Sequence, residues 1–214
     1  MTLGRWLDRV LYRHPFEGRG AERYAVVARP AFGDLDDRLL DRMPTLATAR
    51  RLLDLGAGPG TFAARAAARH RDLAVIAVDP SRAYAHCPPG TQTQVLRASG
   101  EALPLASGSI DTAICLSSIR HVRDRAATLR ELRRVVRPQG LLVIVELDPE
   151  ASRERIAAHA EHLASGLLRR AFGPLVCKTA PRASTITELA GRAGWQLIAQ
   201  RPDAIQPVYI LELA

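Results

Sequence analysis

The sequence predicts an α/β fold, a doubly wound sheet of mostly parallel strands finished by an antiparallel strand pair. Three observations predict it. From Arg50 to Asp148 short apolar runs alternate with helical stretches, the rhythm of strands joined by crossover helices on both faces of a sheet. The run Leu52-Leu53-Asp54-Leu55 breaks into Gly56-Ala57-Gly58-Pro59-Gly60 and then into Thr61-Phe62-Ala63-Ala64-Arg65-Ala66, which is strand, tight loop, helix. Finally, apolar runs at 195–200 and 205–213 are separated by Arg201-Pro202-Asp203-Ala204, short enough to be a turn, so they pair antiparallel.

The elements follow in order. Leu3, Trp6, Leu7, Val10 and Leu11 recur at helical spacing, giving an amphipathic helix whose apolar face packs on the main body. A mobile cap over a cavity and a foot on a membrane surface are the other uses of such a face. His14-Pro15-Phe16-Glu17-Gly18-Arg19-Gly20 breaks that helix, and another runs over 34–43 and stops before Pro44. Strands are predicted at 51–55, 73–78, 93–96, 110–116 and 141–147, and helices at 61–70, 81–87 and 122–136. In the last helix Leu129, Leu132 and Val136, with Val122 and Ala126, form the buried stripe; Arg123, Arg130, Arg134 and Arg137 look outward. After Asp148-Pro149 a helical insertion spans 151–172 and a loop runs through Pro174 and Pro181. A helix at 184–193 is opened by a Ser184 cap and ended by Gly194, after which Trp195 begins the strand pair as a core residue.

Composition narrows the function. The net charge of +8 raises the question of an anionic partner, but the arginines are strewn from Arg5 to Arg201 and Lys178 is the only lysine. Scattered charge is a solvated surface, which argues against a dedicated nucleic-acid partner. Cys87, Cys115 and Cys177 show no paired spacing and read as reduced thiols. With no apolar stretch long enough to span a bilayer and no signal-peptide core, the expected location is the cytoplasm.

The glycine loop carries the first chemistry. Gly56, Gly58 and Gly60 are spaced two apart, and Thr61 stands where a dinucleotide fingerprint wants a third small residue, so the loop does not match a dinucleotide site. Asp54 ahead of it suits a ligand bearing an ammonium, while the helix N-terminus suits an anionic group. Asp79 ends the next strand in Val78-Asp79-Pro80-Ser81, where a carboxylate can accept both hydroxyls of a ribose. An Asp-Pro helix cap is the structural alternative.

On these stretches, together with Ala98-Ser99-Gly100-Glu101-Ala102-Leu103-Pro104 and Arg130-Glu131-Leu132-Arg133-Arg134-Val135-Val136-Arg137-Pro138-Gln139-Gly140, the chain resembles the class I S-adenosylmethionine-dependent methyltransferases, of the compact type that includes the ubiquinone and menaquinone biosynthesis enzymes. The resemblance implies a Rossmann-like seven-stranded sheet and S-adenosyl-L-methionine as cofactor. It implies one domain over 1–214, with an N-terminal helical cap at 1–48, a cofactor-binding core at 49–148, a helical insertion at 149–183 and a C-terminal helix and strand pair at 184–214. It sets the methionine end against Asp54, Gly56, Ala57, Gly58 and Gly60, the ribose on Asp79 beside Pro80, the adenine beside Ser99, Gly100 and Glu101, and the closing wall at Leu116 and Ser117. Relatives usually carry Asp where Ser99 stands, and Glu101 is the group that could compensate.

Ser117-Ser118-Ile119-Arg120-His121-Val122 falls where relatives have a His-His pair, with Arg120 in the first place and His121 in the second. His121 is a candidate general base or substrate-orienting donor, or else a histidine that caps its own helix. Arg120 would suit an acceptor with a carboxylate or phosphate. Tyr12, Phe16, Tyr24 and Phe32, ahead of the sheet where the family builds its lid, are candidate substrate contacts. His159 and His162 flank Glu161 on what reads as an exposed helix face, and their spacing makes no metal site. The expected reaction is methyl transfer by in-line displacement to a small organic acceptor. An RNA methyltransferase and a non-catalytic cofactor-binding or interaction module are the alternatives.

Overall fold

A computed structural model describes residues 16–85, 93–163 and 166–214. Strand β1 (Arg51–Leu55) leads through the glycine loop into α3 (Thr61–Arg69); β2 (Ala74–Asp79), β3 (Gln94–Arg97) and β4 (Ile110–Leu116) follow. Then come α4 (Arg125–Val135), β5 (Val136–Leu147), the insertion helices α5 (Arg153–Glu161) and α6 (Gly166–Thr179), α7 (Ala183–Arg192), β6 (Leu197–Pro202) and β7 (Val208–Leu213). Ahead of the sheet lie α1 (Arg19–Arg23), a π-helical turn Tyr24–Ala28, a 3-10 turn Arg29–Phe32 and α2 (Leu35–Asp41).

The strands form one seven-stranded sheet in the order β3-β2-β1-β4-β5-β7-β6. Strands β1 to β5 are parallel, and β7 pairs antiparallel with both β5 and β6. Order reverses between β1 and β4, and in doubly wound sheets the crevice beyond the carboxyl ends at that reversal is where ligands bind. Side-chain alternation sends Leu53 and Leu55 to the face covered by α4 and α7, with Leu129, Leu132, Ile186 and Trp195. Leu52 faces the opposite core, which holds Phe62 and Ala66 of α3, Leu35 and Leu39 of α2, and Val176 of α6. Trp195 is buried, as predicted, and donates from its indole N–H to Leu129 O at 3.0 Å.

Several local expectations are corrected. The stretch 19–32, which begins inside the predicted helix break at 14–20, is helical. Two helices replace the single insertion helix, and the second runs through Pro174 because Phe172 and Val176 on either side of it pack into the core. Helix α7 begins at Ala183 with Arg182 at the cap position and no side-chain cap, so Ser184 lies inside the first turn. The segment after β2 makes only a short 3-10 turn, Arg82–Tyr84, before the described residues stop at Ala85. The exposed histidine face is half right: His162 is exposed, but His159 is buried, stacked on Phe172 at 4.9 Å and hydrogen-bonded through Nδ1 to Gln206 Oε1 at 2.5 Å. The amphipathic helix around Leu3 to Leu11, Tyr12 and Cys87 lie outside the described residues.

Candidate active site

The crevice is built on the loop after β1. Gly56 takes φ of +72°, and its N–H and that of Ala57 both donate to Val78 O, at 2.7 and 3.2 Å, so the loop is laced onto the end of β2. Gly58 (φ +54°) donates to Asp79 Oδ2 at 2.9 Å, while Asp79 Oδ1 accepts from Ser81 N at 2.8 Å. The cap of the following 3-10 turn is Ser81, whose Oγ accepts from Ala83 N at 3.1 Å, while Asp79 closes the Asp-Pro turn ahead of it through Ser81 N and holds Gly58 as well. Both Asp79 oxygens thus orient the loop and keep lone pairs for a diol. A cleft beside them is lined by Ala57, Gly58, Gly60, Ala77, Asp79 and Tyr84. Pro80 is exposed, and its carbonyl accepts from Arg97 Nε at 3.1 Å.

Asp54 lies on the α3 face of β1, 2% exposed, and accepts a backbone hydrogen bond from Ala63 in the first turn of α3. Burial first, and then the neighbouring carboxylate of Asp36, push its acid up to about 7. Asp36, also buried, is matched by Arg29, whose Nη2 lies 2.6 Å from both of its carboxylate oxygens. Arg29 is therefore committed, and Asp54 is a buried acid that a ligand ammonium would neutralise.

The predicted adenine-side residues divide. Ser99 is exposed and bonds the Glu101 carboxylate, whose Oε1 accepts from Asp124 N at 3.2 Å at the start of α4. Gly100 is buried where a Cβ would press on Thr128 Cγ2 at 2.8 Å. None of the three lines the cleft beside Asp79, whose outer wall is Tyr84, Thr93 and Val95. Leu116 packs at the edge of the core, and Ser117, at φ +51°, donates from its backbone to Val145 O at 2.7 Å.

At the end of β4 the 3-10 turn Ile119–His121 presents the acceptor-side pair. Arg120 Nε donates to His121 Nε2 at 2.9 Å, which places the imidazole proton on Nδ1. Burial, with Arg120 and Arg125 adding, holds His121 down to about 3, so the ring is neutral and a poor proton acceptor. Glu146 at the end of β5, wholly buried and raised by that burial, accepts from Leu147 N at 2.8 Å and from Arg120 N at 3.3 Å, with Oε1 3.7 Å from Arg120 Nε. Arg120 Nη1 is buried without an acceptor among the described residues.

The N-terminal segment closes this crevice. Tyr84 OH donates to Ala21 O at 2.9 Å, Ser81 Oγ donates to Phe16 O, and Tyr24 lies against the position a Gly58 Cβ would take. The Phe16 ring stands edge-on to both Tyr24, at 5.3 Å, and His121, at 4.7 Å. Phe32 packs against His159 at 5.1 Å, so its ring belongs to the insertion side. Sequence reasoning missed Glu146 and Asp36, which look like ordinary strand and helix residues until their partners are brought beside them. Among the described residues no cluster of His, Cys, Asp and Glu could hold a metal, and no helix is long and apolar enough to cross a membrane.

Comparison with known proteins bears on the fold and on the segment that holds the glycine loop. Residues 53–144 match the family model described as methyltransferase domain. A malonyl-[acyl-carrier protein] O-methyltransferase of Halorhodospira halophila is 33% identical over 164 residues, 72% of this chain and 54% of that protein. A ubiquinone/menaquinone biosynthesis C-methyltransferase of Syntrophotalea carbinolica is 34% identical over 141 residues, 62% of this chain and 60% of that one. The chain spans about half the length of these curated relatives. A crystal structure of an S-adenosylmethionine-dependent methyltransferase from Aquifex aeolicus superposes with a TM-score of 0.71 over 90% of this chain and 96% of its own, at 13% identity, a likeness of fold.

Proposed function

We propose that this protein, whose residues 53–144 match the methyltransferase-domain model, transfers the methyl group of S-adenosylmethionine to a small organic acceptor that carries an anionic group. The observation that carries the reading is the pair of carboxylates beside the glycine loop: Asp79, at the end of β2 and orienting Gly58, and Asp54, buried ahead of the loop with its acid raised by that burial. These residues fit the cofactor. Asp54 answers an ammonium, the two oxygens of Asp79 answer a ribose diol, Ala77 and Tyr84 answer an apolar ring edge, and Gly58 leaves space where a side chain would stand.

When bound, the cofactor supplies an electrophilic methyl group on a sulfonium, so the protein's work is alignment and exclusion of water. Gly56 and Gly58 shape the loop. Phe16 and Tyr24 cover it. Arg120 offers a buried donor to an acceptor anion. Many other arginines are paired with carboxylates, among them Arg38 with Asp203, Arg137 with Asp111 and Arg201 with Glu212, which leaves less of the basic composition for a polyanion.

Titration calorimetry with S-adenosylmethionine and S-adenosylhomocysteine tests the reading, followed by mass-spectrometric screening of products from anionic small molecules. Binding that is undetectable at millimolar ligand would refute it.

A further inference from the structure

The turn after β4 holds one guanidinium N–H without an acceptor among the described residues, on an arginine that is otherwise engaged: Arg120 Nε lies 3.7 Å from Glu146 Oε1. Arg120 Nε is fixed on His121 Nε2 at 2.9 Å, its backbone N–H on Glu146 at 3.3 Å, and its Nη1 is buried without an acceptor among the described residues. Arg125 backs the same turn, donating from Nε to Ile119 O and from Nη2 to Arg120 O, both at 3.1 Å. Two guanidinium ions therefore face one buried carboxylate, Glu146, and the wall keeps a surplus positive charge.

A phosphate monoester brings nearly two charges and three acceptor oxygens, more than one buried N–H and one surplus charge can meet. A carboxylate brings one charge and two oxygens. One oxygen can rest on Nη1 while the other stays open.

The described groups on this wall offer no receiver for a proton. The His121 Nε2 lone pair is taken by Arg120, and its conjugate acid is disfavoured by burial. Both oxygens of Glu146 accept backbone N–H groups. The Tyr24 hydroxyl is raised above its ordinary value by desolvation. A hydroxyl or amine acceptor must lose a proton in the course of methylation; a carboxylate is ionised well below neutral pH and loses none.

We infer, resting on the methyltransferase reading above, that the acceptor atom is a carboxylate oxygen whose sister oxygen is held by Arg120 Nη1, so that the product is a methyl ester. A lone pair of that oxygen forms the O–C bond as the methyl–sulfur bond breaks. The breaking pair stays on sulfur, which becomes a neutral thioether, and no proton moves.

The test incubates the full chain with cofactor tritiated in its methyl group, a small-molecule cell extract, and a panel of alkyl and aryl carboxylic acids each paired with its carboxamide. Ester formation predicts label on acids and not on amides, released by mild alkali as volatile methanol. Arg120→Gln should lower that label at least tenfold and Arg120→Lys less, with S-adenosylhomocysteine binding kept in both. Label that survives alkali overturns the inference and leaves the methyltransferase reading standing, and so does ester formation that is unchanged in Arg120→Gln. Cofactor binding without label on any compound overturns both.

Discussion

Gly56 lies beneath Ser118: a Cβ on the glycine would collide with the serine Cβ and stand 2.9 Å from its Oγ, the atom that donates to Leu55 O at 2.8 Å. The loop after β1 and the turn after β4 are thereby locked across the point where strand order reverses. Gly56→Ala should cost about 1–2 kcal/mol for the left-handed backbone and about 1–3 kcal/mol for the collision. Adding Ser118→Gly should return the collision part and leave the backbone part. Urea midpoints of the two single variants and the double variant decide this; a double variant no more stable than Gly56→Ala alone would show that the two residues do not meet.

Asp79→Ala should weaken S-adenosylmethionine binding at least tenfold, since a hydrogen bond to a charged group is worth about 1.5–3 kcal/mol and each ~1.4 kcal/mol is a factor of ten. The Gly58 N–H loses its acceptor in the same change. Calorimetry reads the affinity directly, and an unchanged value removes Asp79 from the ribose site.

Cofactor affinity should depend on pH through Asp54. Its acid is raised to about 7 in the fold, by burial and then by Asp36, so its contribution to stability is full below the unfolded value near ~3.9 and is lost as pH rises through 7. A ligand ammonium selects the ionised form. Binding should weaken as pH falls below about 7, with proton release visible when binding enthalpies are compared in buffers of different ionisation enthalpy. Equal affinity at acidic and mildly alkaline pH would argue that the ammonium is not held there, and Asp54→Asn should flatten the dependence.

For His121 the sign is opposite. Burial, helped by Arg120 and Arg125, depresses the folded value to about 3, so its stabilisation is present above the unfolded value near ~6.5 and is lost as pH falls toward 3. His121→Gln should remove part of this acid-side loss in a pH series of thermal melts. Methylation by the native protein should show no inflection near neutrality from this ring; an inflection that vanished in His121→Ala would reinstate it as a base.

His159→Ala should destabilise by roughly 2–4 kcal/mol, combining a buried cavity with an unsatisfied Gln206 amide. Denaturant unfolding measures the loss. His159→Phe should lose less, because a ring of similar shape keeps the stack on Phe172.

The parts legible in the sequence were those governed by local rules. The span of β1 and the first residue of α3 follow from an apolar run meeting glycines that the backbone needs at positive φ. The stripe on α4 follows from helical period, and Leu129 and Leu132 are fully buried. Where long-range contacts decide, local rules fail. Pro174 signals a loop, yet Val176 is fully buried and carries the helix onward. His159 looks solvent-facing because its partner Gln206 lies 47 residues away. At the site, the glycine loop and Asp79 announce themselves by spacing, whereas the Arg120–Glu146 pair joins residues 26 apart on different strand ends and has no motif. The role open to His121 was likewise set by a neighbour, since Arg120 takes the lone pair that a base would need.

The placement of β7 between β5 and β6 has a consequence for the order of assembly. Strand β6 precedes β7 along the chain but, among the described strands, ladders only with it, so β6 joins the sheet through the later segment that docks on β5. The attachment of β6 to the rest of the sheet therefore runs through β7 alone, which makes β6 the outermost edge on that side. Pulse-labelled hydrogen exchange should find the amides of β6 protected no earlier than those of β7.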